Sequence, residues 1–211
     1  MYINDTHIGF YITIAIIGLI VGQMSDWVNK RLPENKSIIS KDIIRAWKIQ
    51  FKPNYILMFI TSAIYVGLVY YFGIQKYLIG NLELIKYLIL TPMLLSAFII
   101  DYKSKIIPNR LNLTIFEVGI VTAFLYGFSN VAITIDLLLG MLAGGGIFLI
   151  IALIGRLIYG KESMGIGDVK LMGALGLLFG FQNIIAIAVM SFLIGAILSI
   201  FLLTTKIKKM D

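Results

Sequence analysis

Apolar residues in this chain come in long unbroken runs, not in the alternation or the amphipathic rhythm of soluble strands and helices. The runs lie at roughly 8–24, 55–72, 84–100, 111–128, 133–159, 169–179 and 184–204, separated by short polar breaks. Most approach the ~20 residues that a helix needs to cross a bilayer. In hydrocarbon a segment must satisfy its own backbone polar groups, and a helix does so within one segment. The pattern therefore predicts an all-α fold, a polytopic membrane helix bundle of about seven spans. Pro92, inside the third run, removes one backbone donor and predicts a kink there. Gly144-Gly145-Gly146, inside the fifth, lets neighbouring helices approach closely or lets the helix bend. The sixth run is short, with Gly173, Gly176 and Gly180 every three or four residues. It reads either as a short span packed within the bundle or as a re-entrant helix.

The polar breaks divide the chain into three parts: residues 1–29, a first span with an opening motif; residues 30–54, a basic segment; and residues 55–211, the remaining bundle. In the basic segment Ile43, Ile44, Trp47 and Phe51 recur at helical spacing opposite Lys41, Arg45, Lys48 and Lys52. That suits a short amphipathic helix lying on an anionic leaflet, and equally a solvated loop helix. Composition agrees with the membrane reading. Of 211 residues 59% are hydrophobic and 14% charged, too few charges to cover a soluble domain. There is no cysteine, so disulfides and thiolate zinc sites are excluded and no metal is expected. The first run follows Asp5 and His7, not a basic n-region, and reads as a retained span instead of a cleaved signal. His7 itself reads as a solvated terminal residue.

The net charge of +7 reports topology here and not nucleic-acid binding, because no basic patch is interleaved with aromatics on a soluble module. If the breaks alternate across the bilayer, segments 30–52, 103–110, 156–170 and 206–209 fall on one side. They hold seven, three, three and three of the 18 Lys and Arg residues, leaving Lys76 and Lys86 for the other side. That bias places the first side in the cytoplasm, with the amino terminus outside and the carboxyl terminus inside.

Two carboxylates stand where apolar runs meet this cytoplasmic boundary. Asp101 ends the run Leu94-Leu95-Ser96-Ala97-Phe98-Ile99-Ile100. Asp168 follows Gly165-Ile166-Gly167 and opens the sixth run, beside a bend that glycine permits at low cost. An ionisable residue at such a depth is a candidate for function, because burying its charge is expensive. Taken singly, Asp101 also reads as a helix-ending carboxylate paired with Lys103 or Lys105, and Asp168 as a helix cap. Taken together they suggest acid–base hydrolysis. Two carboxylates within a few ångströms cannot both ionise easily, so the pair holds a shared proton. The ionised member takes a proton from water and the protonated member polarises a carbonyl. Other chemistries are poorly served: there is no thiol, the one histidine is on the outer side, and no Glu-x-x-His motif occurs. Lys170 is a candidate for tuning the charge beside Asp168 or for meeting lipid headgroups. Glu117, about two turns into the fourth run, either pairs with a buried polar group or assists the site. Asp136 reads as the start of the fifth span from the outer side.

Three segments resemble the type IV prepilin peptidases, membrane aspartic peptidases of the Gly-x-Gly-Asp type. Gly22-Gln23-Met24-Ser25-Asp26-Trp27-Val28-Asn29-Lys30-Arg31-Leu32-Pro33, with Ser37-Ile38, is similar to the family's opening Gly-Ser-Phe-Leu-Asn…Arg-Leu-Pro…Ser-Ile. Asp101 with Ile107-Pro108-Asn109-Arg110-Leu111-Asn112 is similar to its first catalytic motif, and Met164-Gly165-Ile166-Gly167-Asp168-Val169-Lys170-Leu171 to its second. The resemblance implies a bacterial inner-membrane endopeptidase that removes a short basic leader from prepilins or pseudopilins at the cytoplasmic face. Asp101 and Asp168 would be the catalytic pair, with Gly165, Gly167, Lys170 and Pro108 supporting them, and anionic lipid around them. Cleavage would need no cofactor. Many members also methylate the new amino terminus with S-adenosylmethionine. Many carry two Cys-x-x-Cys zinc pairs in the first cytoplasmic segment, which this chain lacks, so methylation is in doubt and the segment must be held otherwise. The rivals are an intramembrane protease of the signal-peptide-peptidase type, disfavoured because the order here is Asp101-Tyr102, and a small proton-coupled carrier, disfavoured because no repeat halves are visible.

Overall fold

Helix formation follows the apolar runs and overshoots them at about half of their ends. A computed structural model describes residues 2–3, 6–32, 53–75, 79–160 and 164–204. Among these, seven α-helices run in order: α1 (Ile8–Arg31), α2 (Tyr55–Phe72), α3 (Leu82–Ser104), α4 (Asn109–Ser129), α5 (Val131–Tyr159), α6 (Ile166–Phe179) and α7 (Phe181–Thr204). Two two-residue strands, β1 (Tyr2–Ile3) and β2 (Thr6–His7), pair antiparallel ahead of α1. Six of the helices, all but α6, are long and apolar enough to cross a membrane. The fold is thus a polytopic helical membrane bundle. The amphipathic helix expected within residues 39–53 falls almost wholly outside the described residues.

At three amino-terminal ends a capping side chain satisfies a free end amide. His7 Nδ1 accepts from the Gly9 N–H at 3.1 Å, so this histidine caps α1 and is not merely a solvated terminal residue. Asn54 caps α2 by accepting from Leu57 N–H at 3.3 Å, and Asn130 caps α5 by accepting from Ala132 N–H at 2.9 Å. Helix α3 continues through Pro92 to Ser104.

The chain divides into two compact units, Met1–Ile115 and Phe116–Asp211. In the first, α1 and α2 pack antiparallel with their backbones close. A Cβ on Gly18 would stand 2.6 Å from Ser62 Cα, and one on Gly22 would stand 2.8 Å from Met58 Cα. At that spacing the Ser62 hydroxyl donates to the Ala15 carbonyl at 3.0 Å. The first core cluster gathers Tyr11 and Ile14 of α1, Tyr65 and Val69 of α2, and Leu84 of α3. The Tyr65 hydroxyl donates to the Leu88 carbonyl at 2.7 Å. Where α2 begins, Asn54 latches it to α1: its N–H donates to Gln23 Oε1 at 3.1 Å and its Nδ2 to Asp26 Oδ1 at 2.8 Å. Lys30 pairs with the other oxygen of Asp26.

In the second unit, α5 and α6 pack antiparallel through glycines. A Cβ on Gly144 would strike the Met172 carbonyl, and one on Gly176 would strike the Gly140 carbonyl. Of the triplet 144–146, Gly144 makes the close approach and Gly146 has no neighbour within 4 Å. Helix α7 runs along α5 in the same direction, with Ile184 against Gly144 and Phe192 stacked on Phe148 at 5.5 Å. Ala123, Leu137 and Leu177 form the second core cluster. Helix α6 has 14 residues, ~21 Å of rise. It ends at Gly180 beside Asp136, five residues after the start of α5. Asp136 lies in the second turn of α5, with its carboxylate beside Gly180.

Candidate active site

Asp101 lies in the last turn and a half of α3, and its side chain is exposed. Its carbonyl accepts the Lys105 N–H at 2.8 Å, and Lys105, in the left-handed conformation at φ 56°, ends the helix. Lys105 Nζ sits 5.6 Å above the Tyr102 ring. After Ile106 and Ile107, Pro108 opens α4: its carbonyl accepts from Leu111 N–H at 3.0 Å and Asn112 N–H at 3.3 Å. Proline suits this place because it has no N–H to leave unpaired at a helix start. Ile107 and Asn112 are buried on either side of it, so the Ile-Pro-Asn-x-Leu-Asn motif acts as a fixed turn after Asp101.

Asp168 is the third residue of α6 and is partly exposed; Gly165, not Asp168, occupies the capping position. Its N–H donates to the Gly165 carbonyl at 3.1 Å. The expected glycine bend is absent. Gly165 has φ −67° and ψ 136°, which any residue adopts, and Gly167 is helical. What Gly165 provides is space, since a Cβ there would stand 3.2 Å from Asp168 Oδ2. The antiparallel register of α5 and α6 also sets the depth of Asp168. Gly140 meets Gly176 and Gly144 meets Met172, so four residues further Asp168 is level with about Phe148. Residues 149–159 of α5 extend ~16 Å past it. The shortness of α6 is therefore what recesses this carboxylate below the end of the neighbouring helix.

Gly165, Gly167, Asp168 and Lys170 are thus gathered at the start of α6 in the second unit, with Lys170 exposed. Asp101 and Pro108 are gathered at the α3–α4 connection in the first unit. Glu117 is exposed on α4. Among the described residues no three His, Cys, Asp or Glu side chains cluster as a metal ion would require. The sequence reading did not pick out the Gln23–Asp26–Asn54 latch or the Gly18 and Gly22 contacts. The four-residue spacing Gly18…Gly22 was a visible signal for the second; the latch joins residues 28 and 31 positions apart and has no local signature.

Residues 88–200 match the sequence profile of the type IV leader peptidase family, a stretch that contains both Asp101 and Asp168. Similar curated proteins bear the name prepilin leader peptidase/N-methyltransferase. One from Aeromonas hydrophila is 33% identical over 113 residues, 54% of this chain and 38% of that protein. One from Xanthomonas campestris pv. campestris is 31% identical over 141 residues, 66% of this chain and 45% of that protein. One from Neisseria gonorrhoeae is 30% identical over 119 residues, 56% of this chain and 41% of that protein. The chain spans less than half the length of these relatives. No solved structure matches. With more than half of its residues matched by the profile, this chain belongs to the type IV leader peptidase family.

Proposed function

We propose that this protein is an aspartic endopeptidase of the bacterial cytoplasmic membrane that removes the short basic leader from type IV prepilins or pseudopilins, with Asp101 and Asp168 as the acid–base pair. The observation that carries the reading is that the family match encloses both aspartates, each near the end of an apolar helix. Two spans, α4 and α5, separate them, so alternation across the bilayer returns both to one face. The positive-inside bias makes that face cytoplasmic.

In this reading one carboxylate takes a proton from water and the other, protonated, donates to the scissile carbonyl oxygen. The resulting diol collapses with proton transfer to the leaving amine, and no covalent intermediate forms. Gly165 and Gly167 leave room for the substrate chain beside Asp168, and Lys170 supports the charge there. A basic leader stays among anionic headgroups while the apolar segment that follows remains in the bilayer, which sets the scissile bond at the boundary.

The test is cleavage of a synthetic prepilin segment by the full-length protein in detergent micelles. Asp101→Asn and Asp168→Asn should each lower the rate by ~10²–10⁴-fold with the protein still folded. Wild-type cleavage by either variant would refute the pair. The mass of the mature product reports in the same experiment whether a methyl group has been added when S-adenosylmethionine is supplied.

A further inference from the structure

Asn29 is the one polar side chain in the described part of α1 that is more than nine-tenths buried, at 8% exposure, with neither amide atom hydrogen-bonded. Its buried neighbours on the helix are satisfied: Ser25 donates to the Val21 carbonyl at 2.9 Å, and Asp26 holds Asn54 and Lys30. A buried amide with both its donor and its acceptor unused is costly, and such a group calls for a partner. Asn29 lies on the same face of α1 as Gly18, Gly22 and Ser25, one turn beyond the Asp26–Asn54 latch at which α2 begins.

Its depth is informative. Within the first unit α1 and α3 both run antiparallel to α2, and one core cluster gathers Tyr11 of α1 and Leu84 of α3. Asn29 is 18 residues beyond Tyr11, and Asp101 is 17 beyond Leu84. At 1.5 Å per residue these are ~27 and ~26 Å along the two helices. The unsatisfied amide and Asp101 therefore lie at similar distances along their helices from the cluster that both helices share.

We propose that Asn29 is a substrate-binding residue that pairs, through Oδ1 and Nδ2, with the N–H and C=O of one extended residue of the leader as the chain passes Asp101. The inference rests on the peptidase reading above. A carboxylamide side chain offers one acceptor and two donors in one plane, which complements the N–H and C=O that one residue of an extended chain presents on the same side. An extended substrate entering a low-dielectric site must find partners for its own backbone groups, so each side repairs the other's deficit. The charges nearby do not suit side-chain recognition of a basic leader: Lys30 and Arg31 follow directly, and Asp26 is already engaged by Lys30.

The experiment uses the full-length protein in micelles and a synthetic peptide of a basic leader followed by an apolar segment. A companion set carries a single N-methylated amide at successive positions near the cleaved bond. Asn29→Leu, which keeps the volume and removes the hydrogen bonds, should raise KM about tenfold, about 1.4 kcal/mol, and leave kcat within about twofold. One N-methyl position should weaken the wild type by a similar factor and have no effect on the variant. Should Asn29→Leu fold poorly, Asn29→Ser, which cannot make both bonds, should give the same KM rise and the same loss of N-methyl sensitivity. Unchanged KM, or equal N-methyl penalties in wild type and variants, overturns the proposal and leaves Asn29 as a water site. A wild type that neither binds nor cleaves the unmodified peptide overturns the peptidase reading and this inference with it.

Discussion

Gly165 and Gly180 illustrate two different reasons for the same residue type. Gly165 has an ordinary backbone, φ −67° and ψ 136°, so alanine there is conformationally acceptable. Its missing Cβ is what leaves Asp168 Oδ2 undisturbed, with only 3.2 Å available. Gly165→Ala is therefore expected to fold with a stability change within about 0.5 kcal/mol, yet to lose ~10-fold or more in kcat, since small misplacements of a reacting group are expensive. Thermal midpoints and prepilin-peptide kinetics measured side by side check this, and an unimpaired kcat would sever Gly165 from the site. Gly180 is the opposite case. At φ 81° it occupies a conformation that L side chains avoid, and a Cβ would run into the Asp136 carboxylate. Gly180→Ala should cost ~1–3 kcal/mol of stability through strain.

Among the elements, the close helix pairs α1–α2 and α5–α6 are held by what their glycines omit. Lipid tails and apolar side chains offer similar surroundings, so helices associate in a membrane through close packing and interhelical hydrogen bonds. Gly18, Gly22, Gly140, Gly144 and Gly176 bring backbone against backbone. Gly176→Val should force α5 and α6 apart at a cost of ~1–3 kcal/mol. It should also lower peptidase activity, because that contact fixes the depth of Asp168. Gly146→Ala should be neutral or gain up to ~1 kcal/mol, because an added Cβ would meet no other part of the protein within 4 Å and alanine favours a helix. Thermal unfolding in one detergent ranks the two, and equal midpoints would contradict the glycine-packing account.

For the molecule as a whole, the proposed orientation can be read directly because the chain has no cysteine of its own. Asn130→Cys, between α4 and α5, should react with a membrane-impermeant maleimide on intact cells. Ile106→Cys, exposed after α3, should react only once the membrane is opened. The reverse pattern would place Asp101 on the wrong face for a cytoplasmic leader.

The apolar runs already contained the helices, because in hydrocarbon a backbone that cannot reach water must bond to itself, and this requirement is local. The bounds at 55–72 were legible to the residue, and the two aspartates stood out as charges at the ends of runs. Which face of each helix meets protein was not legible. The helices are apolar nearly all round, and hydropathy does not distinguish a lipid-facing leucine from a packed one. Only the tertiary structure assigned Gly144 to a contact and Gly146 to none, turned His7 into a helix cap, set Asp136 beside Gly180, and moved Asp168 from a cap into the first turn of α6. The burial of Asn29 was equally invisible, because it follows from helices meeting across tens of residues of sequence and not from anything in the residues beside it.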